Sequence, residues 1–387
     1  MFRIKVTKAI LFFLLFLAVT GVRATAQDAN SGAPNPPSSA PEKNTSTSSP
    51  KSSASVTVEG FQTRVLKEGE KVPERKNPEY EDWSRPELTP GMKRQIVLLG
   101  KSNGDGFTRE LVSVQWREMD PIDLWIVKPL GAKNPPVILY LYSYNGSNDR
   151  YSDSEFCKFL TRGGFAAVGF VSALTEHRFH DRARIQTFVS ELQESLGATV
   201  HDVQLILNYL SERGDLDMKR VGMWGDGSGA SIAIMAAAVD SRIAVLDLLD
   251  PWGDWPDWLA RSGIVAEKDR AEYTSSYFMG TVENLEPLKL LPKLADRRVR
   301  LQYIEDGLAV TPAVVRQKME AAAPPNVEIV HYQNTQAFVS NVASQGRGFD
   351  WVKKSVAQSQ DTKSAVLRSG LESNKAEMGP QNSINSR

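Results

Sequence analysis

Arg220-Val221-Gly222-Met223-Trp224-Gly225-Asp226-Gly227-Ser228-Gly229-Ala230 joins a short apolar strand to a helix rich in small residues, Ser231 to Val239, through a cluster of glycines. A strand that turns this sharply into a helix leaves almost no room for side chains two residues before and two residues after its apex. Two registers compete. With Gly225 and Gly229 flanking, the apex is Gly227, and a strained positive φ falls on a residue that has no Cβ to clash. With Ser228 at the apex, Asp226 occupies a position that tolerates almost no side chain. The first register is favoured.

Outward from this bend, strand and helix patterns alternate. Arg94 to Gly100 and Glu110 to Trp116 read as an antiparallel lead-in, followed by Ile122 to Pro129 and Val137 to Tyr142. Helical spacing covers Asp153 to Thr161 and Val200 to Arg213; Gly164 to Val171, Ile243 to Asp250, Val299 to Ile304 and Val327 to Tyr332 read as strands. Thr311 to Ala322 reads as a helix with Thr311 placed to cap it, and a final helix begins near Phe349. Strands that are apolar throughout and separated by helices predict an α/β domain: a mostly parallel sheet with helices on both faces. Between Trp252 and Leu294 the alternation lapses into Trp252, Trp255, Trp258, Tyr273, Tyr277 and Phe278 among charges. This is either a cap insertion or a long surface helix with core anchors.

The bend resembles the strand–turn–helix nucleophile elbow of the α/β-hydrolase superfamily, and the resemblance runs from Val137 to about Val356, with a strand order like that of the dienelactone-hydrolase and peptidase-like branches. It implies the α/β-hydrolase fold. The family's elbow is G-x-S-x-G, so the resemblance places Gly227 where the nucleophilic serine belongs. Its acid, in a segment like E-D-D-x-x-x-P, falls on Gly307 within Glu305-Asp306-Gly307-Leu308-Ala309-Val310-Thr311-Pro312; its histidine, usually in G-H-G-F, falls on Gln336 within Thr335-Gln336-Ala337-Phe338. The triad is degenerate. A serine needs a base within hydrogen-bonding reach and that base needs an orienting carboxylate, whereas glutamine cannot take up and return a proton. No histidine follows His331, which sits inside a strand pattern. Where relatives carry H-G-G for the oxyanion, this chain has Tyr142-Ser143-Tyr144-Asn145-Gly146.

Other residues gather at the same edge. Asp250 ends a strand, a position where some relatives place their acid, and Asp226 precedes the apex. Glu176-His177-Arg178-Phe179-His180-Asp181-Arg182 follows another strand and reads either as a ligand contact or as a solvated loop. The tryptophans Trp252, Trp255 and Trp258 offer a sugar-stacking surface, but their near-helical spacing favours a packing stripe.

The full chain has 387 residues, 41% hydrophobic, with 46 basic and 46 acidic side chains. Formal neutrality without a basic run excludes nucleic acid as a partner, because phosphate binding needs clustered positive charge. One cysteine, Cys157, excludes an intramolecular disulfide, and four histidines without H-E-x-x-H give no support for a metal centre. Nothing implies a cofactor. Residues 1–26 carry Arg3, Lys5 and Lys8, an apolar run from Ala9 to Val19 and a small-x-small site at Ala24-Thr25-Ala26. That run is too short to cross a core of about 30 Å, so it reads as a cleaved signal peptide with no transmembrane anchor left afterwards. The mature chain is then exported, periplasmic or extracellular. Residues 27–55 form a Ser/Pro-rich linker without a large apolar side chain, a composition that cannot offset its ordering entropy. The domain spans 56–356 and a flexible tail 357–387.

The sequence thus points to an inactive hydrolase relative that binds a small molecule, glycan or protein in a cleft lined by Tyr142, Ser143, Asp226, Ser228, His177 and Trp252. The alternative is an ester or lactone hydrolase that uses Ser228 with a non-standard base such as His177. A purely structural envelope protein is a third option.

Overall fold

Nine strands pair into one sheet. In chain order they are β1 (Gln95–Gly104), β2 (Phe107–Arg117), β3 (Asp120–Pro129), β4 (Pro136–Leu141), β5 (Ala166–Gly169), β6 (Asp217–Asp226), β7 (Ile243–Leu249), β8 (Arg298–Ile304) and β9 (Glu328–Tyr332), and their spatial order is β1-β2-β3-β5-β4-β6-β7-β8-β9. The first three meander antiparallel, β3 meets β5 antiparallel, and all pairs from β5 to β9 are parallel. The computed structural model describes residues 81–88, 95–144, 146–179, 188–307, 310–345 and 349–359. The leader at 1–26, the linker at 27–55, the start of the domain at 56–80, His180 and the tail from 360 lie outside the described residues.

The parallel strands are apolar because both faces are covered: every residue of β4 is buried. One face packs against α2 (Leu192–Arg213), α3 (Ser228–Val239) and α6 (Ala313–Ala322), the other against α1 (Ser154–Thr161), α7 (Thr335–Gln345) and α8 (350–359). Asp153 starts α1 by accepting a bond from the Phe156 N–H at 2.7 Å, and Gly214 ends α2 in the left-handed region, φ +72. Lys353 of α8 donates to the carbonyls of Phe159 and Arg162 at 3.0 and 3.1 Å, which closes the far end of α1. Gly222 of β6 lies directly under α8: a Cβ there would sit 2.5 Å from Val356 Cγ2 and 3.1 Å from Val352 Cγ2.

A buried ion network fixes the N-terminal side. Arg117 of β2 donates to Glu81 and to Asp202 of α2, while Arg178 donates to Asp120 at 2.8 and 2.7 Å and to Asp202 at 2.9 Å. Both guanidiniums are fully buried. Buried charges persist only when paired, and this explains why Arg178 turns inward rather than into solvent.

Three expectations need correction. The segment after Trp252 is neither a single long helix nor uniform: it breaks into α4 (Trp255–Arg261), α5 (Ser276–Val282) and single turns packed on α2, α3 and α6. Helix α6 begins at Ala313, and Thr311 does not cap it; its hydroxyl donates to the carbonyls of Asp250 and Pro251, each at 3.0 Å. No helix is expected between Tyr332 and Phe349, but the chain there is helical, because Asn334 accepts from the Ala337 N–H at 2.9 Å and starts α7 at Thr335. The last helix continues to residue 359.

Candidate functional site

The carboxyl ends of β4, β6, β7 and β8 converge on the bend at Gly227, the edge where open parallel sheets bind ligands. Gly227 holds φ +52 and ψ −118. Its N–H donates to the Leu249 carbonyl at 2.9 Å, and its carbonyl accepts from the N–H groups of Ala230 and Ser231. The flanking glycines are sterically required. A Cβ on Gly225 would lie 2.6 Å from Ala230 Cα, and one on Gly229 would overlap the carbonyl of Leu141.

Ser228, one residue past the apex, is fully buried. Its Oγ accepts a hydrogen bond from the Tyr144 N–H at 2.8 Å, so the hydroxyl is directed at the loop after β4. Ser143 crosses above the apex instead: a Cβ built on Gly227 would meet Ser143 Oγ at 2.6 Å and Trp252 Nε1 at 3.3 Å. The indole of Trp252 is otherwise buried, stacked on Trp258 at 4.3 Å between centroids and held through its backbone by Ser231. Trp252, Trp255 and Trp258 are all buried, so they form a packing stripe that presents no ring face for stacking.

Two carboxyls lie beside the bend. Asp250, at φ +45, accepts from the Ile304 N–H at 3.0 Å. Burial, reinforced by the charge of Asp226, pushes it up to about 8 against the opposition of that hydrogen bond. Asp226 is half-buried and pushed up to about 6 by burial, with Arg150 opposing. No described residue donates a hydrogen bond to its carboxylate.

On the same face of the sheet as Asp226 stands an aromatic group that sequence reasoning missed, apart from Tyr142. Tyr140 of β4 is opposite Trp224 of β6 in register, and Tyr142 lies 5.0 Å from Trp224 between centroids. The hydroxyl of Tyr140 is buried with no partner among the described residues, and that of Tyr142 is buried against Arg150. Arg150 places its guanidinium 3.4 Å from the centroid of Tyr142. No sequence spacing signals this cluster, because its members come from separate elements.

Among the described residues no hydrogen bond joins the remaining expected positions to the bend. Gly307 follows β8 at φ +147. Gln336 is exposed on the first turn of α7 and donates to Ser340 Oγ at 3.2 Å. His177 is exposed at the start of β3, 3.3 Å from the Pro121 carbonyl, with β5 and β4 between that strand and β6. His201 is buried between Glu81 and the Arg85 carbonyl, and His331 lies between Glu305 and Glu320 at 3.3 and 3.5 Å. None of these three imidazoles touches a serine. Among the described residues no group of three or more His, Cys, Asp or Glu could hold a metal ion, and no helix is long and apolar enough to cross a membrane.

No family model matches the chain, and no curated protein matches it. Solved structures do. Acetyl xylan esterase 1 from Thermoanaerobacterium sp. JW/SL YS485 is 13% identical, with a TM-score of 0.51 over 66% of this chain and 87% of that one. An acetyl xylan esterase from Paenibacillus sp. R4 is 15% identical, with a TM-score of 0.48 over 65% and 84%. At such identity the likeness to the first concerns architecture alone, and with the strand order above it establishes that this chain has the α/β-hydrolase fold.

Proposed function

We propose that this is an exported α/β-hydrolase-fold protein that has kept the cleft and lost hydrolysis, and that it acts by binding a small molecule, a glycan or a protein there. One observation carries the reading: the apex of the bend is Gly227, which has no side chain, while the neighbouring hydroxyl of Ser228 is buried and committed to the Tyr144 N–H. Acyl transfer needs a nucleophile, a base that takes its proton and donors aimed at the developing oxyanion. Here Gly227 supplies no nucleophile, the Tyr144 N–H is already bonded to Ser228, and none of the imidazoles at 177, 201 and 331 is within reach. Export rests on the leader-like segment 1–26.

A fluorophosphonate probe and short acyl esters test the loss of hydrolysis together. The expected result is no labelled serine and turnover equal to buffer. Labelling or turnover that disappears in Ser228→Ala overturns the proposal in favour of an ester or lactone hydrolase. Ligand-induced thermal shifts test the binding half, because a molecule that binds only the folded state must raise its apparent stability.

A further inference from the structure

We propose that the open edge of the sheet along β1 is a docking surface for this chain's own segment from Val56 to Leu66, which adds there as an antiparallel tenth strand. Among the described residues β1 pairs only with β2, so its other side is a row of unpaired backbone groups. Its middle is apolar as well. Val97, Leu98 and Leu99 are 54%, 57% and 38% exposed, half of the large hydrophobic residues that stand out of the described surface. Charge normally blunts such an edge, but the one charged side chain of β1, Lys101, is turned to Glu110 of β2 at 2.9 Å.

Chain length and position choose the occupant. The described chain starts at Glu81, whose carboxylate is bonded to Arg117, two residues past the Gln115 that faces Gln95 at the start of β1. The residues before 81 therefore arrive at this end of the sheet, whereas the tail leaves α8 beside Arg298 of β8, seven strands away. Between the leader-like run and Glu81, residues 27–55 lack a large apolar side chain, and 67–80 are broken by Pro73 and Pro78. What is left is Val56, Val58, Phe61, Thr63 and Val65, β-branched or aromatic residues at alternate positions, with Gly60 shifting the alternation by one as a bulge does. The fourteen residues at 67–80 reach about 46 Å, more than the length of about 34 Å that the ten residues of β1 cover. The direct path from 66 to 81 sets the segment antiparallel to β1 and continues the meander. Tethered in this way it meets the edge at an effective concentration on the order of millimolar, ahead of a second copy in dilute solution.

This pairing also fixes where the linker leaves. Val56 then lies at the Gly104 end of β1, which is the amino end of the parallel strands, because Gly104 faces Phe107, Phe107 faces Pro129 and Val127 faces Ala167. Residues 27–55 depart from the edge opposite the bend at Gly227 and leave the cleft clear.

Hydrogen exchange read by mass spectrometry on the full chain tests the pairing, with the peptide over 136–141 reporting that the sheet is folded. Peptides over 56–66 and 95–104 are expected to be protected together. Thr63→Pro and Arg64→Pro are compared because alternate N–H groups face the partner strand, so one of the two removes a ladder donor in any register. That variant should return 56–66 and the outward half of the β1 amides to fast exchange while 136–141 stays protected. Fast exchange of 56–66 in the wild type overturns the proposal, and a dimer by light scattering with only β1 protected makes a second copy the occupant instead. Protection of both peptides that survives both prolines overturns it too.

Discussion

Ser228 Oγ accepts from the backbone N–H of Tyr144 at 2.8 Å, and this contact ties the first residue of α3 to the loop that leaves β4. Removing the oxygen strands a buried donor, since both residues are buried. Ser228→Ala is therefore expected to cost about 1–3 kcal/mol of folding stability, read from urea unfolding. If hydrolysis has been lost as proposed, ester turnover should stay equal to buffer in both proteins. A silent effect on stability combined with a loss of turnover contradicts the structural role.

Restoring a hydroxyl at the apex should not restore chemistry. Gly227→Ser places a Cβ at φ +52 and within 2.6 Å of Ser143 Oγ, so Ser143 must rotate away and the residue carries strain of about 1–3 kcal/mol. The expected outcome is a lower melting temperature and no hydrolysis of p-nitrophenyl acetate above buffer. Appreciable turnover in this variant alone would reveal a base that the arrangement of imidazoles does not provide.

The ion network predicts acid sensitivity. Burial alone would raise the carboxyl of Glu81, but its bonds to His201 and Arg117 outweigh this and hold it at about 2 against an ordinary 4.5. A carboxyl depressed by folding contributes stability that is complete above its unfolded value and is lost as pH falls toward its folded value. Unfolding free energy of the wild type should thus drop between about pH 4.5 and 2, and more gently in Glu81→Gln. At neutral pH, Glu81→Ala should cost about 3–5 kcal/mol by leaving Arg117 short of a partner. Equal pH slopes for wild type and Glu81→Gln would remove Glu81 from this account.

Asp250 gives the opposite sign. Its folded value of about 8 lies above the ordinary 3.8, so folding favours the protonated form. That contribution is complete below 3.8 and is lost as pH rises through 8. Asn is expected to keep the bond from Ile304 and to tolerate the left-handed backbone. Asp250→Asn should gain on wild type as pH is raised from 5 to 9, on the order of 4 kcal/mol, and parallel curves in urea over that range would refute it.

The layered sheet is legible in the amino-acid order because its rules are local: period-two apolar runs, helical spacing and two glycines four residues apart around Gly227 each depend on near neighbours. Long-range pairing is not legible. Arg178 sits in a run of charges that reads as solvated, yet its partners are Asp120 and Asp202, distant in sequence. Thr311 stands where a capping residue belongs, but two carbonyls after β7 claim its hydroxyl. The helix at Thr335 is hidden because its local signal is the single capping side chain of Asn334. The group around Trp224 and Arg150 joins three separate elements, so no window of sequence contains it.

Gly222 lies beneath Val352 and Val356, and this contact has a consequence for the order of events on the ribosome. Strand β6 leaves the exit tunnel more than a hundred residues before the helix that shields it, so the strand bearing the bend stays half-clothed through the late part of synthesis. A nascent chain arrested before residue 350 should expose that apolar surface to chaperones, and only release of the final helix seals it.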